Sequence, residues 1–596
     1  MKNWVFTAIF ADPIDTVEPI TQTACRKSKR MTKQRFSWTS VGDINAFFGL
    51  MLDNLAGLVL TVTLLAGVFG FPVNFAMRYM VPGTAIGVLV GDLLFFFMAL
   101  WLIRKTGRRD VTAMPLGLDT PSTFGMIFMV LGPAYRIALG DGTSPEQVEA
   151  AARHAWSIGI CCIVFSGLVK LVFSFVSGWA RRTFPRAGLL GSLAAIALVL
   201  ITFFPILEIF AAPLVGLLSL SIVLTTLVAR IALPYRVPGA LGAVLVASVV
   251  YYAILGIEHL SGLSLLHSEP KLTWDDAHAG LLPTEWTTVF SFAWLNVWQD
   301  ALQYLPIVTP FAIATVVGGI DCTESAAAAG DEYPTGGVIA VEAVATVIAG
   351  LCGGVIQTTP YIGHPAYKAM GGRASYTLAT AVFIGSAGLL GYFGYIYLCL
   401  PSVAIIPILV FVGLEIGSQS FAATPKRHYT AVALALIPAL AVLGKGMVDK
   451  VMTDPALAAA GITANSLLPD NQSALQVLHL LYGGFIITSL LWASALAALI
   501  DRQLVRGSLL FFTCGLFTLF GIIHSPKPNF ELFVIWPTQE PLPGVLNDPQ
   551  QIQSVLVLAT SYALVGLFLL AMAKWSPDAT SAPLSDDDFT ANHGTS

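Results

Sequence analysis

The chain is a series of long apolar blocks separated by short polar stretches. Many blocks reach the length of about 20 residues that crosses a bilayer as a helix. Candidate spans fall near 45–70, 83–103, 112–132, 154–176, 187–205, 209–233, 239–257, 303–325, 336–355, 361–372, 375–398, 401–420, 428–445, 476–500, 507–524 and 553–573. Segment 286–302 carries Trp286, Trp294 and Trp298 and reads as an interfacial helix, since Trp favours the headgroup level. The pattern predicts an all-α polytopic membrane protein.

Composition agrees. Of 596 residues, 56% are hydrophobic and 11% are Asp, Glu, Lys or Arg. So few charges could not cover the surface of a soluble enzyme, and so much apolar residue excludes disorder. The net charge of -4 and the lack of a basic domain argue against a nucleic-acid partner. The seven cysteines have no metal-site spacing and form no disulfide framework. The first apolar run is interrupted by Asp12, Pro13 and Asp15, so no cleavable signal peptide is expected.

Charge placement sets an orientation. With a cytoplasmic N-terminus and alternating sides, 23 of the 31 basic residues fall on the cytoplasmic side and seven outside, while Lys170 lies within a span. The positive-inside rule then predicts an even span count with both ends cytoplasmic. Residues 1–42 read as a basic cytoplasmic tail, and 575–596, with Asp586, Asp587 and Asp588, as a disordered acidic one.

Irregularities recur in the same order in two halves. Asp53 in span 1 matches Asp321 and Glu324 in span 8. Asp92 in span 2 matches Glu342 in span 9. Met-Pro-Leu-Gly at 114–117 opens span 3, and Thr-Pro-Tyr-Ile-Gly at 359–363 opens span 10. Leu-Glu-Ile recurs at 207–209 and 414–416. A unit of seven spans is odd, so the second half would be inverted relative to the first, as in many secondary transporters. The predicted division is 43–257 for the first repeat, 286–500 for the interfacial helix and second repeat, and 507–573 for two added spans. Spans 3 and 10 are short and broken by Pro and Gly. Broken backbone at membrane depth needs protein or a watery cavity to satisfy it, and half-helix N-termini there attract polar or anionic atoms.

Ionisable residues at membrane depth are costly and usually functional. Asp321, Glu324 and Ser325 share a helix face at i, i+3 and i+4. Such a carboxylate can accept N–H donors from a planar ligand or carry a proton. Asp331 and Glu332, just beyond, read as water-solvated acids. Gln357, Thr358, Thr359, Tyr361 and His364 gather hydrogen-bonding groups before and inside span 10, and His364 could titrate in a pH-driven cycle. Asp53 and Asp119 are further candidates. Asp92, Glu342, Glu208 and Glu415 read as holding helices together or gating. No H-E-x-x-H, nucleophile elbow or dinucleotide fingerprint points to an enzyme.

These residues resemble the nucleobase/ascorbate transporter superfamily of xanthine/uracil permease type, nearest to its adenine–guanine–hypoxanthine permease branch. The likeness lies mostly in 303–400: Thr-Glu-Ser at 323–325, A-V-A-T-V-I-A-G-L-C-G at 343–353, and T-T-P-Y-I at 358–362 followed by A-M-G-G-R at 369–373. Gly-Leu-Asp at 117–119 adds a little. The resemblance implies 14 spans in two inverted halves, split into core and gate domains. It implies a small-molecule substrate, a nucleobase, bound between spans 3 and 10 with Glu324 as main contact. Ser325, Thr358, Thr359, Tyr361, His364 and Asp119 are the other expected substrate contacts; Glu324, Asp321 and Asp53 are the expected ion-coupling residues. No metal and no cofactor are expected beyond a coupling H+ or Na+. The lipid bilayer of a bacterial inner membrane is the expected setting and a homodimer an admissible assembly. The family's polar pair in span 10 stands here as Gly363 and His364, and the C-terminal spans are additional. The alternative is a SulP-type anion transporter of the same fold, for sulfate or a dicarboxylate, with Arg373 assisting.

Overall fold

The computed structural model describes residues 38–575, except 141, 143, 235–236, 238, 263–265, 267–273, 453–456, 458–461, 463–465, 528–529 and 537–543. Both expected tails therefore lie outside the described residues, apart from 38–42 and Trp575.

All sixteen apolar segments form helix, or strand followed by helix. Span 1 is Gly42–Phe69 and stops at Gly70, whose φ of 70° caps it in the left-handed conformation. Span 2 is Val73–Thr106, span 5 Arg186–Ala211, span 6 Pro213–Val228 and span 7 Gly239–Ser261. Span 4, Pro145–Thr183, starts at a capping box formed by Ser144 and Gln147. Its 39 residues rise about 58 Å at about 1.5 Å each, twice the hydrocarbon thickness, so its last turn with Arg181 and Arg182 stands clear of the apolar layer. The second half continues with span 8 Leu305–Ala328, span 9 Thr335–Leu351, span 11 Ser375–Leu390, span 12 Pro407–Ala422 and span 13 Tyr429–Met452. Eight of the described helices are long and apolar enough to cross a membrane alone; others, such as span 9 and span 11, are shorter and cross only within the bundle.

Spans 3 and 10 are broken as predicted. Strand β1, Leu116–Leu118, precedes a helix running through Thr120–Gly125, Met126–Leu131 and Gly132–Leu139. Strand β2, Thr358–Pro360, precedes the short helix His364–Ala369. β1 and β2 pair antiparallel, with Gly117 opposite Thr359. Equivalent strands facing each other antiparallel are what a two-fold axis between inverted halves requires. The packing repeats the symmetry: span 4 lies along span 9 and span 8, while span 11 lies along span 2 and span 1. Span 5 packs on spans 13 and 14 and on span 12, span 12 also touches span 6, and the turn Ser402–Ile405 ahead of span 12 packs on span 7. The protein is thus an all-α membrane protein of two inverted seven-span halves, with the four-span parts of both halves forming a core around the strand pair and the remaining three-span parts forming a gate.

Two segments differ from the sequence expectation. Residues 476–500, read as one straight span, are the end of helix Pro469–Tyr482 and all of helix Phe485–Ile500, which meet at 78°. Gly484 has φ 71°, and a Cβ there would strike the backbone of Ile522 in the turn after span 15, so close backbone crossing forces the break. The tryptophan segment is not one interfacial helix but successive short turns, Glu285–Ser291, Ala293–Val297 and Trp298–Ala301.

Span 15, Leu504–Leu519, and span 16, Pro549–Trp575, pack on each other and, through span 15, on span 14. Half-buried hydrogen bonds fasten them. Trp492 donates to the Tyr562 hydroxyl at 2.9 Å, and that hydroxyl lies 2.8 Å from His524 Nε2. At the other end Arg506 donates to the Thr183 carbonyl between spans 4 and 5.

Candidate functional site

A two-stranded ribbon inside a bilayer leaves backbone groups that neither helix nor water can satisfy, so side chains must do it. Asp92 of span 2 accepts from Leu116 N–H at 3.0 Å, and Asn54 of span 1 donates to the Leu116 carbonyl at 3.2 Å. On the other strand Lys170 of span 4 donates to the Thr358 carbonyl at 2.9 Å, and Thr346 of span 9 reaches both that carbonyl and the Thr358 hydroxyl. Ser166 donates to the Gln357 side-chain carbonyl at 2.5 Å. The ribbon is thereby locked from four spans.

Against this rigid ribbon stand two acids that remain partly accessible. Asp119 caps the span 3 helix, accepting from Ser122 N–H at 2.8 Å. Asp53 lies beside the Tyr361 ring, and a Cβ on Gly117 would stand 3.1 Å from that ring and 3.5 Å from Asp53 Oδ2. Any side chain at 117 would crowd this approach. A small cavity lined by Gly49, Leu52, Asp53, Ile405, Ile406 and Leu409 opens here between span 1 and the start of span 12, so Asp53 faces the core–gate boundary. Asp92, Asp321 and Glu342, by contrast, are fully buried.

The residues singled out in the sequence divide among three places. Thr358, Thr359, Tyr361, Asp53 and Asp119 gather at the ribbon. Asp321, Glu324 and Ser325 do share one face of span 8, and that face meets other spans. Asp321 accepts from the Ser192 hydroxyl of span 5 at 2.6 Å. Ser325 and Gln419 of span 12 exchange two bonds of 2.9 Å. Glu324 is held by Arg181 Nε at 2.8 Å and Arg186 Nε at 2.6 Å. Because Arg186 and Ser192 begin the gate while span 8 belongs to the core, this face closes the core–gate boundary at the Arg/Lys-rich end. Arg186→Gln is accordingly expected to loosen the closure: a cysteine placed at Ser325 should react several-fold faster with a membrane-impermeant thiol reagent. Unchanged labelling would show that the pair does not close this end.

His364 lies in the third place. It sits 3.3 Å from Asp331, which also binds Lys368 at 2.7 Å, Arg108 at 3.2 Å and Thr112 N–H at 3.0 Å. This corrects the reading of Asp331 as a solvated acid. Its side chain is 0% exposed, because the chain turns back after span 8 and carries it under the 108–112 loop. Glu332, in contrast, is open to solvent and pairs with Arg181 at 3.0 Å. Burial alone would raise the Asp331 pKa, but bonds from His364, Lys368 and Thr112 more than offset it and hold the carboxyl below the usual range.

Reasoning from sequence missed Arg181, Arg186, Lys170 and Gln419. Lys170 did leave a signal, a lone lysine within an apolar span, which implies a buried partner. That partner is Glu342, at 2.8 Å with both side chains 0% exposed.

No described protein family matches the chain, and no curated protein matches it. Among solved structures, the transmembrane domain of a cyanobacterium bicarbonate transporter, BicA, is similar over 67% of this chain and 96% of its own, at 14% identity and a TM-score of 0.37. The overall structure of SLC26A9 is similar over 92% of this chain and 93% of its own, at 10% identity and a TM-score of 0.36. At these identities no substrate and no residue role is taken from either.

Proposed function

We propose that the protein is a secondary active transporter that carries a small anion together with H+ or Na+ by alternating access between core and gate. The observation that carries this reading is the ribbon between two opposed halves, with Asp53 partly accessible beside it at the core–gate boundary and Asp119 partly accessible at the head of the span 3 helix. Opposed half-helices at the middle of an inverted repeat are where secondary transporters bind substrate. The dipole of the span 3 helix adds positive potential at its head, where Asp119 already takes the Ser122 N–H. Two nearby carboxylates would repel that anion unless a cation accompanies it, which is the reason for coupling. The nucleobase expectation leaned on Glu324 as an open acceptor. Two guanidinium groups hold that carboxylate, so a base N–H would have to displace them. Asp53 beside Tyr361 is the remaining acceptor that suits a base, and it supports nucleobase transport as the second reading. We place the Arg/Lys-rich end in the cytoplasm of a bacterial cell, with the protein in the inner membrane.

The test is uptake into proteoliposomes of labelled sulfate, bicarbonate, a dicarboxylate, purines and uracil, with and without pH and sodium gradients. Gradient-driven accumulation of an anion, uncompeted by purines, is expected. Accumulation of a purine or uracil alone would favour the second reading, and gradient-independent equilibration of every solute would sink coupled transport. In the same assay Asp53→Asn is expected to cut gradient-driven uptake at least tenfold while the protein still inserts and melts normally.

A further inference from the structure

We infer that Glu342, set against Lys170 and Asp119 behind the ribbon, is a proton-binding site. The inference deepens the transport reading and rests on it for the use made of the proton. Three charged groups from three spans converge: Lys170 from span 4, Glu342 from span 9 and Asp119 at the head of the span 3 helix. Lys170 touches Glu342 at 2.8 Å, and Asp119 is near enough for its charge to act on both. Two carboxylates share one ammonium, so the group carries one excess negative charge at membrane depth. An uncompensated charge there is expensive, and a buried acid escapes the cost by taking a proton.

Geometry decides which acid takes it. Asp119 accepts the Ser122 N–H as helix cap and is partly accessible, and both favour its charged form over that of the fully buried Glu342. Glu342 has little besides Lys170: among the described residues only the Thr359 hydroxyl also comes near its oxygens. The other groups around it are the Thr358 and Thr346 hydroxyls and, from span 8, the Cys322 thiol, which lies 3.4 Å from the Pro360 carbonyl. Asp92 of span 2 gives one oxygen to the Leu116 N–H and has the other unpaired. The ammonium occupies the position beside the carboxylate, which leaves no seat for a metal ion with its several oxygen ligands. The ligand is therefore H+. One proton adds to a Glu342 oxygen, the ion pair ends, and Lys170 keeps its bond to Thr358 while balancing Asp119. Since Asp119 is partly accessible and Glu342 is not, the proton reaches the pair past Asp119 from the crevice. Protonation at Glu342 then alters the tether of the strand that carries Thr358, Thr359 and Tyr361.

Infrared difference spectra of the full chain in lipid, titrated from about pH 9 to about pH 5, test this. Acidification is expected to raise the C=O band of a buried protonated carboxyl. Glu342→Gln should abolish the band, whereas Asp53→Asn and Asp321→Asn should keep it. Asp119→Asn removes the excess charge and should move the titration to lower pH by about one unit. Should Glu342→Gln fail to fold, the charge-balanced Lys170→Met/Glu342→Gln gives the same reading. A wild type without the band, or a band that survives loss of Glu342, overturns the site. The band without any gradient-driven solute uptake would support the site and count against the transport reading.

Discussion

Lys170→Met is expected to lower stability by about 3–5 kcal/mol, the cost of leaving one partner of a buried ion pair alone. Glu342 would lose the cation paired with it, and the Thr358 carbonyl its 2.9 Å donor. The strand that carries Thr359 and Tyr361 would lose an anchor on one side. Thermal unfolding of the purified protein in detergent measures this. Lys170→Met/Glu342→Gln removes both charges and should recover most of the loss, since replacing a whole buried pair costs far less than breaking it. Equal melting of the single and double variants would mean that Glu342 without Lys170 carries no such cost.

The second large effect is expected at Asp331. Asp331→Ala strips Arg108, Lys368, His364 and the Thr112 N–H of a shared acceptor at once and leaves two cations facing each other without it. A loss of about 3–5 kcal/mol is expected, with faster amide exchange confined to the 108–112 loop and the His364–Ala369 helix. Asp331→Asn keeps an acceptor for Thr112 and should lose less. The pH dependence follows from the lowered pKa. Stability from this carboxylate is fully present above the ordinary aspartate range and is lost only as pH falls through the lower native value. Melting measured from neutral pH downward should therefore show the Asp331 contribution persisting past the point where an ordinary aspartate protonates. Loss of the difference between wild type and Asp331→Ala already near neutrality would contradict the assignment.

Both effects concern acids whose surroundings could not be read along the chain. Asp331 follows Gly330 in a polar stretch at the end of a span, the usual setting of a solvated acid. It is buried only because loop 108–112 and helix His364–Ala369, some 220 residues before and 30 after, fold over it. Glu324 stood out because Thr-Glu-Ser resembles a known binding motif, but a short motif does not report that Arg181 and Arg186 reach it from the end of span 4 and the start of span 5. Conversely, the broken spans were legible, because Pro and Gly disrupt a helix locally wherever they occur. The bend at Gly483 and Gly484 carried the same kind of signal, a Gly-Gly pair, but inside a long apolar run it reads equally well as one span, and the crossing backbone near Ile522 decides for the break.

The sequence by itself determined the bilayer setting, the positions of the spans, the odd-numbered repeat and hence its inversion, and the two broken elements that meet. All of these follow from apolar length, helix-breaking residues and order along the chain, which windows of about 20 residues contain. Only the tertiary structure decided which charge meets which: Lys170 with Glu342, Glu324 with two arginines, Asp331 with its four donors, and Asp53 left beside Tyr361. The membrane demands that a buried charge find a partner, but the partner is chosen by which helices cross, and those crossings join residues far apart along the chain, from His364 with Asp331 to Asp53 with Tyr361.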